Sequence, residues 1–439
     1  MGDTLKKKYS LIAVAGALAV AGATLTAMPA QAATPSITIW VDAPRLPGAK
    51  LYAKIMKGKV DVKVELHAQG DLVQKVALFN RVKKGWPDVV FGPPNDVSVL
   101  KDANNALALD KYAPASFWKD MEGGNQWCKG SDGMYYCVKN DLAQTVLWVN
   151  TKLMKDFGYT VPKTMTDFAK IGADIAANHP GYSLGALGAQ GMYANYLWPS
   201  QCPANQATSS TAVRIAPTDS KCTRATALVQ PMIDSGVLST SAPWDADFVK
   251  DYGQANKVVM VIGPSWFGEF VIKPAASWAV PAGQITAVEM PMWPGEKVNY
   301  SGEWGGGIYT VSPHSKYPKE ALAFAIFMVS DKRNVTDVVN PDGSKGAPTF
   351  PASAKGNAFW KAKISADKWY SANPYPAMLA QSTKIFSGEK PVSYDTNGAM
   401  EGTYSNELKK TKNAQSALVA FSTYVTNLAK QLGYKVKTN

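Results

Sequence analysis

GSDGMYYCVKNDLAQTVLWVNTKLMKDFGYTVPKTMTDF, running from Gly130 to Phe168, is the stretch around which the rest of the chain can be ordered. Asp132-Gly133 places a tight turn, because glycine reaches positive φ without steric cost. The β-branched and aromatic run Val146 to Val149 predicts a buried strand that ends at Asn150. A short helix follows. Thr164, with Asp167 three residues later, then predicts a capping box in which hydroxyl and carboxylate satisfy orphan amides of the next helix.

Upstream, Ile37 to Val41 reads as a first buried strand, and a helix from about Gly48 carries Leu51, Ile55 and Met56 on one face. Val60 to Leu66 alternates apolar and charged residues, as a strand with one wet face does. Leu72, Val73, Val76, Phe79 and Val82 recur at helical spacing until Gly85-Trp86-Pro87-Asp88 breaks the helix, and Val89 to Phe91 forms a third strand. Strands alternating with helices imply an α/β domain with a mainly parallel sheet. Ligands of such sheets bind beyond the carboxyl ends of the strands, which makes Val41-Asp42 and Phe91 to Asp96 site candidates. Downstream, Lys257 to Ile262 predicts another buried strand, ending in Gly263-Pro264-Ser265-Trp266-Phe267. Ile285 to Pro291 leads to a turn at Trp293-Pro294-Gly295, then to Gly302 to Gly307 and the strand Ile308 to Val311. Lys319 to Val329 predicts an amphipathic helix, and Ala417, Phe421, Val425, Leu428 and Leu432 share one face of a C-terminal helix. No internal repeat interrupts this pattern.

A chain of 439 residues is expected to build two cores rather than one. Residues 1–32 stand apart: Lys6, Lys7 and Lys8, an apolar stretch from Leu11 to Ala27, and Ala30-Gln31-Ala32 together predict a secretory signal peptide, with an uncleaved membrane anchor as the competing reading. No other stretch is long and apolar enough to span a bilayer. Cys128, Cys137, Cys202 and Cys222 all follow that segment, and an even number in an exported chain suggests two disulfides. Four cysteines allow three pairings. Nearest-neighbour pairing is expected, Cys128 with Cys137 clamping the Gly133 hairpin and Cys202 with Cys222 closing a polar excursion. A metal site is disfavoured by the lack of CxxC spacing. The formal charge is +12, of which residues 1–32 contribute +2 through three lysines and Asp3, leaving about +10. The lysines are scattered, which argues against nucleic acid. His67, His179 and His314 are isolated and no GxSxG elbow occurs, so catalysis, metal and cofactors are not expected, although a glycosidase would need only two suitably spaced carboxylates. A repeat-built adhesin does not match the βα pattern.

Five segments, in order, resemble the extracellular solute-binding proteins of ABC importers, in the maltose-binding-protein-like family (family 1). They are GWPDVVF (Gly85–Phe91), ALALDKY (Ala106–Tyr112), DGMYYCVKND (Asp132–Asp141), KVVMVIGPSWF (Lys257–Phe267) and GGGIYTVSPHSKYPKEALAFAIFMVSD (Gly305–Asp331). Cys137 departs from the small or apolar residue usual there, and no cysteine follows the signal peptide to carry a lipid anchor.

The resemblance implies a two-lobed periplasmic-binding-protein fold (type II), α/β in class, with each lobe a mainly parallel sheet flanked by helices and the ligand cleft between. It implies lobe 1 at 33–140 plus about 304–345, and lobe 2 at about 141–303 plus 346–439. It implies a secreted monomer, extracellular or periplasmic, that captures a sugar or oligosaccharide and delivers it to a membrane permease; a polyamine or peptide is the alternative solute. Trp266 and Trp304 are the expected stacking platforms, with Trp40 a third aromatic at a strand end. Asp42, Asp96, Asp141 and Glu303 are the expected hydroxyl acceptors, since a carboxylate accepts several hydrogen bonds. Gln69, Asn95, Gln144, Tyr193, Asn195 and Asn397 are further candidates from cleft-facing loops, and Arg45 is read as solvent-exposed, with service to a polar ligand as the alternative.

Overall fold

Of the four sheets among the described residues, two position the site, and the run from Lys139 to Gln144 passes from one to the other. In the computed structural model, residues 33–67, 72–390 and 392–438 are described; the expected signal peptide and Gln69 lie outside them. Residues 35–439 form one body. Its first sheet uses β1 (Ser36–Val41), β2 (Asp61–Leu66), β3 (Val89–Gly92), β4 (Val138–Lys139) and, from far along the chain, Ile308–Val311. The second uses β5 (Thr145–Asn150), β6 (Met260–Pro264) and β7 (Ile285–Val288), which makes Ile308–Val311 β8 in chain order.

The first sheet runs β2-β1-β3-β8-β4. β1 is parallel to β2 and β3, as the strand–helix alternation predicts, while β8 returns antiparallel to β3 with Ile308 opposite Gly92. Val62 and Val64 are half-buried between exposed Asp61 and Lys63, the wet face that the alternation predicts. Ile37, Ile39, Val89, Phe91 and Tyr309 pack against the helix Pro318–Ser330. That helix is buried almost all round, from Ala321 through Ser330. The amphipathic helix expected is present, with a narrow outer stripe of exposed Lys319 and Ala323 and half-buried Ile326.

The second sheet corrects the parallel expectation. β5 pairs antiparallel with both β7 and β6; parallel pairing around it is confined to isolated bridges such as Ser183 with Val258. Every residue of β5 is buried, because each face meets a core: Leu147 and Val149 face the cluster of Phe168 and Phe421, and Val146 and Trp148 face that of Phe267 and Trp360. Burial on both faces is why its sequence is an unbroken apolar run. The capping box at Thr164 and Asp167 is formed and starts the helix Met165–Asn178. The C-terminal helix spans Ala414–Gln431, so Leu432 falls just past its end and is exposed.

Both expected disulfides are present, Cys128–Cys137 and Cys202–Cys222. With its ends 20 positions apart, the second closes the longer loop. Converting Cys202 and Cys222 together to alanine should cost about 3 kcal/mol in the chain-entropy account, read as a fall in the denaturation midpoint under non-reducing conditions.

Candidate functional site

Three segments that connect the sheets lie side by side. Asp141-Leu142 pairs with Phe350-Pro351, and Gln144 bridges to Glu303. Gly305, Gly306 and Gly307 follow on, and the close approach needs them. Gly306 has φ 75°, and a Cβ there would stand 2.7 Å from Glu303 Oε1 and 2.9 Å from Asp141 O. A Cβ on Gly307 would run into the Phe91 ring at 2.1 Å.

Two ion networks form the floor. Lys139 Nζ lies 2.6 Å from Glu303 Oε1, with side chains 0% and 3% exposed. Burial raises the Glu303 pKa, and Lys139 opposes that rise. Beside it, Arg45 reaches Asp42 at 3.2 Å and Asp141 at 3.3 Å, and its guanidinium lies 4.3 Å from the centre of the Phe91 ring. Asn140 donates to Asp141 at 2.6 Å and accepts from Tyr309 at 3.1 Å. Asp141 is likewise pushed up by burial against the pull of Arg45. Arg45 is therefore not the solvent-exposed residue expected, but a clamp between two carboxylates.

A chamber of about 400 Å³ next to the Arg45 network is lined by Arg45, Phe91 and Asp141 together with Trp244, Trp266, Phe270 and Trp304. Trp304 is buried, packed against Phe267 at 5.5 Å. Trp266 stands edge-on to it at 5.9 Å, is half-buried, and donates Nε1 to Trp304 O at 2.7 Å. Trp244, 5.7 Å from Trp304, is exposed. The available ring faces thus belong to Trp266 and Trp244, with Trp304 behind them.

Pro94, Gln190, Gly305 and Asn397 also line a smaller chamber of about 60 Å³ that contains Asn95, Trp127, Tyr193, Trp198, Glu303 and Glu389. Tyr193 opens a five-residue π-helical turn, Tyr193–Leu197, and donates to Glu389 at 2.9 Å. Burial pushes the Glu389 carboxyl up to about 8. Between pH 4.5 and 8 the folded state then holds a proton that the unfolded state has released, so this residue costs stability as pH rises. Glu389→Gln should gain stability relative to the parent over that window and match it below; denaturation at pH 4 and pH 8 checks the sign.

Of the residues expected from sequence, Asn95, Asp141, Tyr193, Trp266, Glu303, Trp304 and Asn397 are brought together here, and Asp42 stands behind them on Arg45. Four are placed elsewhere. Trp40 packs with Leu72, Val76 and Val90, stacks on His67 at 4.6 Å and donates to Glu65 at 2.7 Å. Asp96 is turned against Gly92, its carboxyl pushed up to about 7 by burial and by Asp395. Gln144 donates to Met378 O at 2.7 Å, and Asn195 to Ile262 O at 2.9 Å. Trp127, Gln190, Trp198, Trp244 and Glu389 were not anticipated. Pro243-Trp244 repeats the loop chemistry of Pro264-Ser265-Trp266, and Trp127 adjoins Cys128; those were the signals available.

The model of the bacterial extracellular solute-binding proteins matches residues 43–335, and the chain belongs to that family. Its fold is the two-lobed one of solved structures that it matches at low identity. The galacto-N-biose-/lacto-N-biose I-binding protein of the ABC transporter from Bifidobacterium longum, in complex with lacto-N-biose, is 15% identical with a TM-score of 0.74, covering 92% of this chain and 99% of that one. The ABC transporter associated binding protein from B. animalis subsp. lactis, in complex with beta-1,6-galactobiose, is 18% identical with a TM-score of 0.69, covering 92% and 100%. The GacH receptor of Streptomyces glaucescens, solved unliganded and with acarbose, is 19% identical with a TM-score of 0.67, covering 92% and 100%. No curated protein matches the chain by sequence. Among the described residues no helix is long and apolar enough to cross a membrane.

Proposed function

We propose that this chain is an exported, non-catalytic monomer that captures a sugar or oligosaccharide in the groove and hands it to an ABC permease. The lobes are those drawn from sequence, 33–140 with 304–345 and 141–303 with 346–439. The observation that carries the reading is one chamber of about 400 Å³ lined by both the Trp244 and Trp266 rings and the Arg45–Asp141 pair. Flat indoles suit the C–H faces of a sugar ring, and the charged pair suits its hydroxyls. Arg45 and Phe91 come from the first lobe and Trp244 and Trp266 from the second, so closure brings both sets onto the solute and only the closed state gains the full binding energy. Similar folds solved with saccharides support the choice of ligand class.

A thermal-shift screen of sugars, polyamines and peptides tests this. A sugar at 100 times its dissociation constant should stabilise the chain by about 2.7 kcal/mol. Shifts with peptides or polyamines alone would replace the sugar reading, and release of hydrolysed product on incubation with oligosaccharides would replace the non-catalytic one.

A further inference from the structure

Three carboxylates are buried along the groove, and two have a protein cation: Asp141 has Arg45 at 3.3 Å and Glu303 has Lys139 at 2.6 Å. Glu389 has none among the described residues. It is 8% exposed; Oε2 accepts from the Tyr193 hydroxyl, the Gln206 side chain also favours its ionised form, and buried Oε1 makes no hydrogen bond of good geometry. A buried carboxylate is costly to ionise unless a cation and hydrogen-bond donors complete it. The cation missing from the protein is one that a solute can bring.

The aromatic surroundings fit a cation in kind. Trp127, Trp198 and Tyr193 line the same small chamber, and aromatic faces attract ammonium groups; Lys139 Nζ already lies 5.3 Å from the Trp127 ring centre. Lys390 also lines this chamber, and Trp127, Trp198 and Glu389 face in addition a wider cavity of about 1070 Å³, so what marks the place for an amine is the buried carboxyl and not the volume. The small chamber opens, past Gln190 and Asn397, into the 400 Å³ chamber where a ring can lie against Trp266 and Trp244. We propose that the solute carries a protonated amine, seated between Glu389 and the rings of Trp127 and Trp198, while its sugar ring occupies the chamber of Trp266 and Trp244. A hydroxyl could satisfy Oε1 of the protonated carboxyl, whereas an ammonium group, by displacing that proton, turns Glu389 into an ion pair. The solute class is then an amino sugar, or an oligosaccharide containing one. This rests on the carbohydrate reading of the groove, and the test separates the two.

The test is calorimetry of the full chain with matched oligosaccharides in gluco, galacto and manno configuration, each bearing a free amine, an N-acetyl group or a hydroxyl at the same carbon. Within the configuration that binds, the amine form should bind at least about tenfold more tightly than the other two. Glu389→Gln should erase that preference, and Trp127→Leu, on the other side of the chamber, should reduce it in the same direction. Equal binding of all three forms, or a preference that survives Glu389→Gln in a folded protein, overturns the amine subsite and leaves sugar capture standing. Binding of spermidine but of no sugar, weakened by Glu389→Gln, upholds the subsite and overturns the sugar reading. Binding of neither class overturns both.

Discussion

Replacing Lys139 with methionine will destabilise the folded chain by about 3–5 kcal/mol, and replacing Lys139 and Glu303 together with methionine will recover most of that loss. Both side chains are out of water, 2.6 Å apart. Taking away the lysine leaves Glu303 ionised in a place that already raises its pKa, or forces it to take up a proton. Relaxation is restricted, since the Gly306 backbone passes so close that a Cβ there would sit 2.9 Å from Lys139 Cε. The double replacement removes the desolvation cost with the charges, and double-mutant cycles isolate the pairwise part. Equilibrium denaturation of the parent, both single variants and the double variant decides it. A single-variant loss below about 1 kcal/mol, or a double variant no better than K139M, would show that the pair is not the buried unit described.

Local signals carried the fold well. The capping box at Thr164, the alternation in Val60 to Leu66 and the apolar run of β5 each depend on neighbours a few residues away, and each appears where expected. Strand direction in the second sheet was less legible. β5 and β6 are about a hundred residues apart, and a strand buried on both faces reads the same whichever way its partner runs. The helix Pro318–Ser330 is buried more widely than its sequence suggests, because the apolar Ala323 and Ile326 make up most of its narrow outer stripe.

The site was legible as a set of loops and less so as a set of side chains. Pointing direction decides membership, and it changes from one residue to the next at a helix start or in a connecting segment. Asn95 lines the groove while Asp96 turns to Gly92; Asp141 lines it while Gln144 is spent on Met378. Arg45 looked like a surface residue because one of its partners, Asp141, is 96 positions away, although the other, Asp42, is only three back. Glu389 gave no signal at all. Its meaning lies in a cation that is missing, and sequence does not display unpaired charges.

Trp266→Ala should weaken solute binding by about 2 kcal/mol or more, roughly thirtyfold, while the protein stays folded. The ring is half-buried, touches Phe267, Phe270 and Trp304 by edges rather than by enclosure, and offers its remaining face to the chamber. Its indole nitrogen is already committed to Trp304 O, so what it gives the solute is apolar surface with a fixed orientation. Trp304→Ala makes the contrast. That ring is 4% exposed and belongs to the core cluster of Phe267 and Trp360, so its loss should cost about 3–5 kcal/mol of stability before binding is considered. The two indoles, expected from sequence to play one role, thus separate into a platform and its support. Measuring affinity and denaturation midpoint for both variants places each on its own axis. Parent-like affinity in Trp266→Ala, or a destabilisation as large as that of Trp304→Ala, would move Trp266 out of the solute site and into the core.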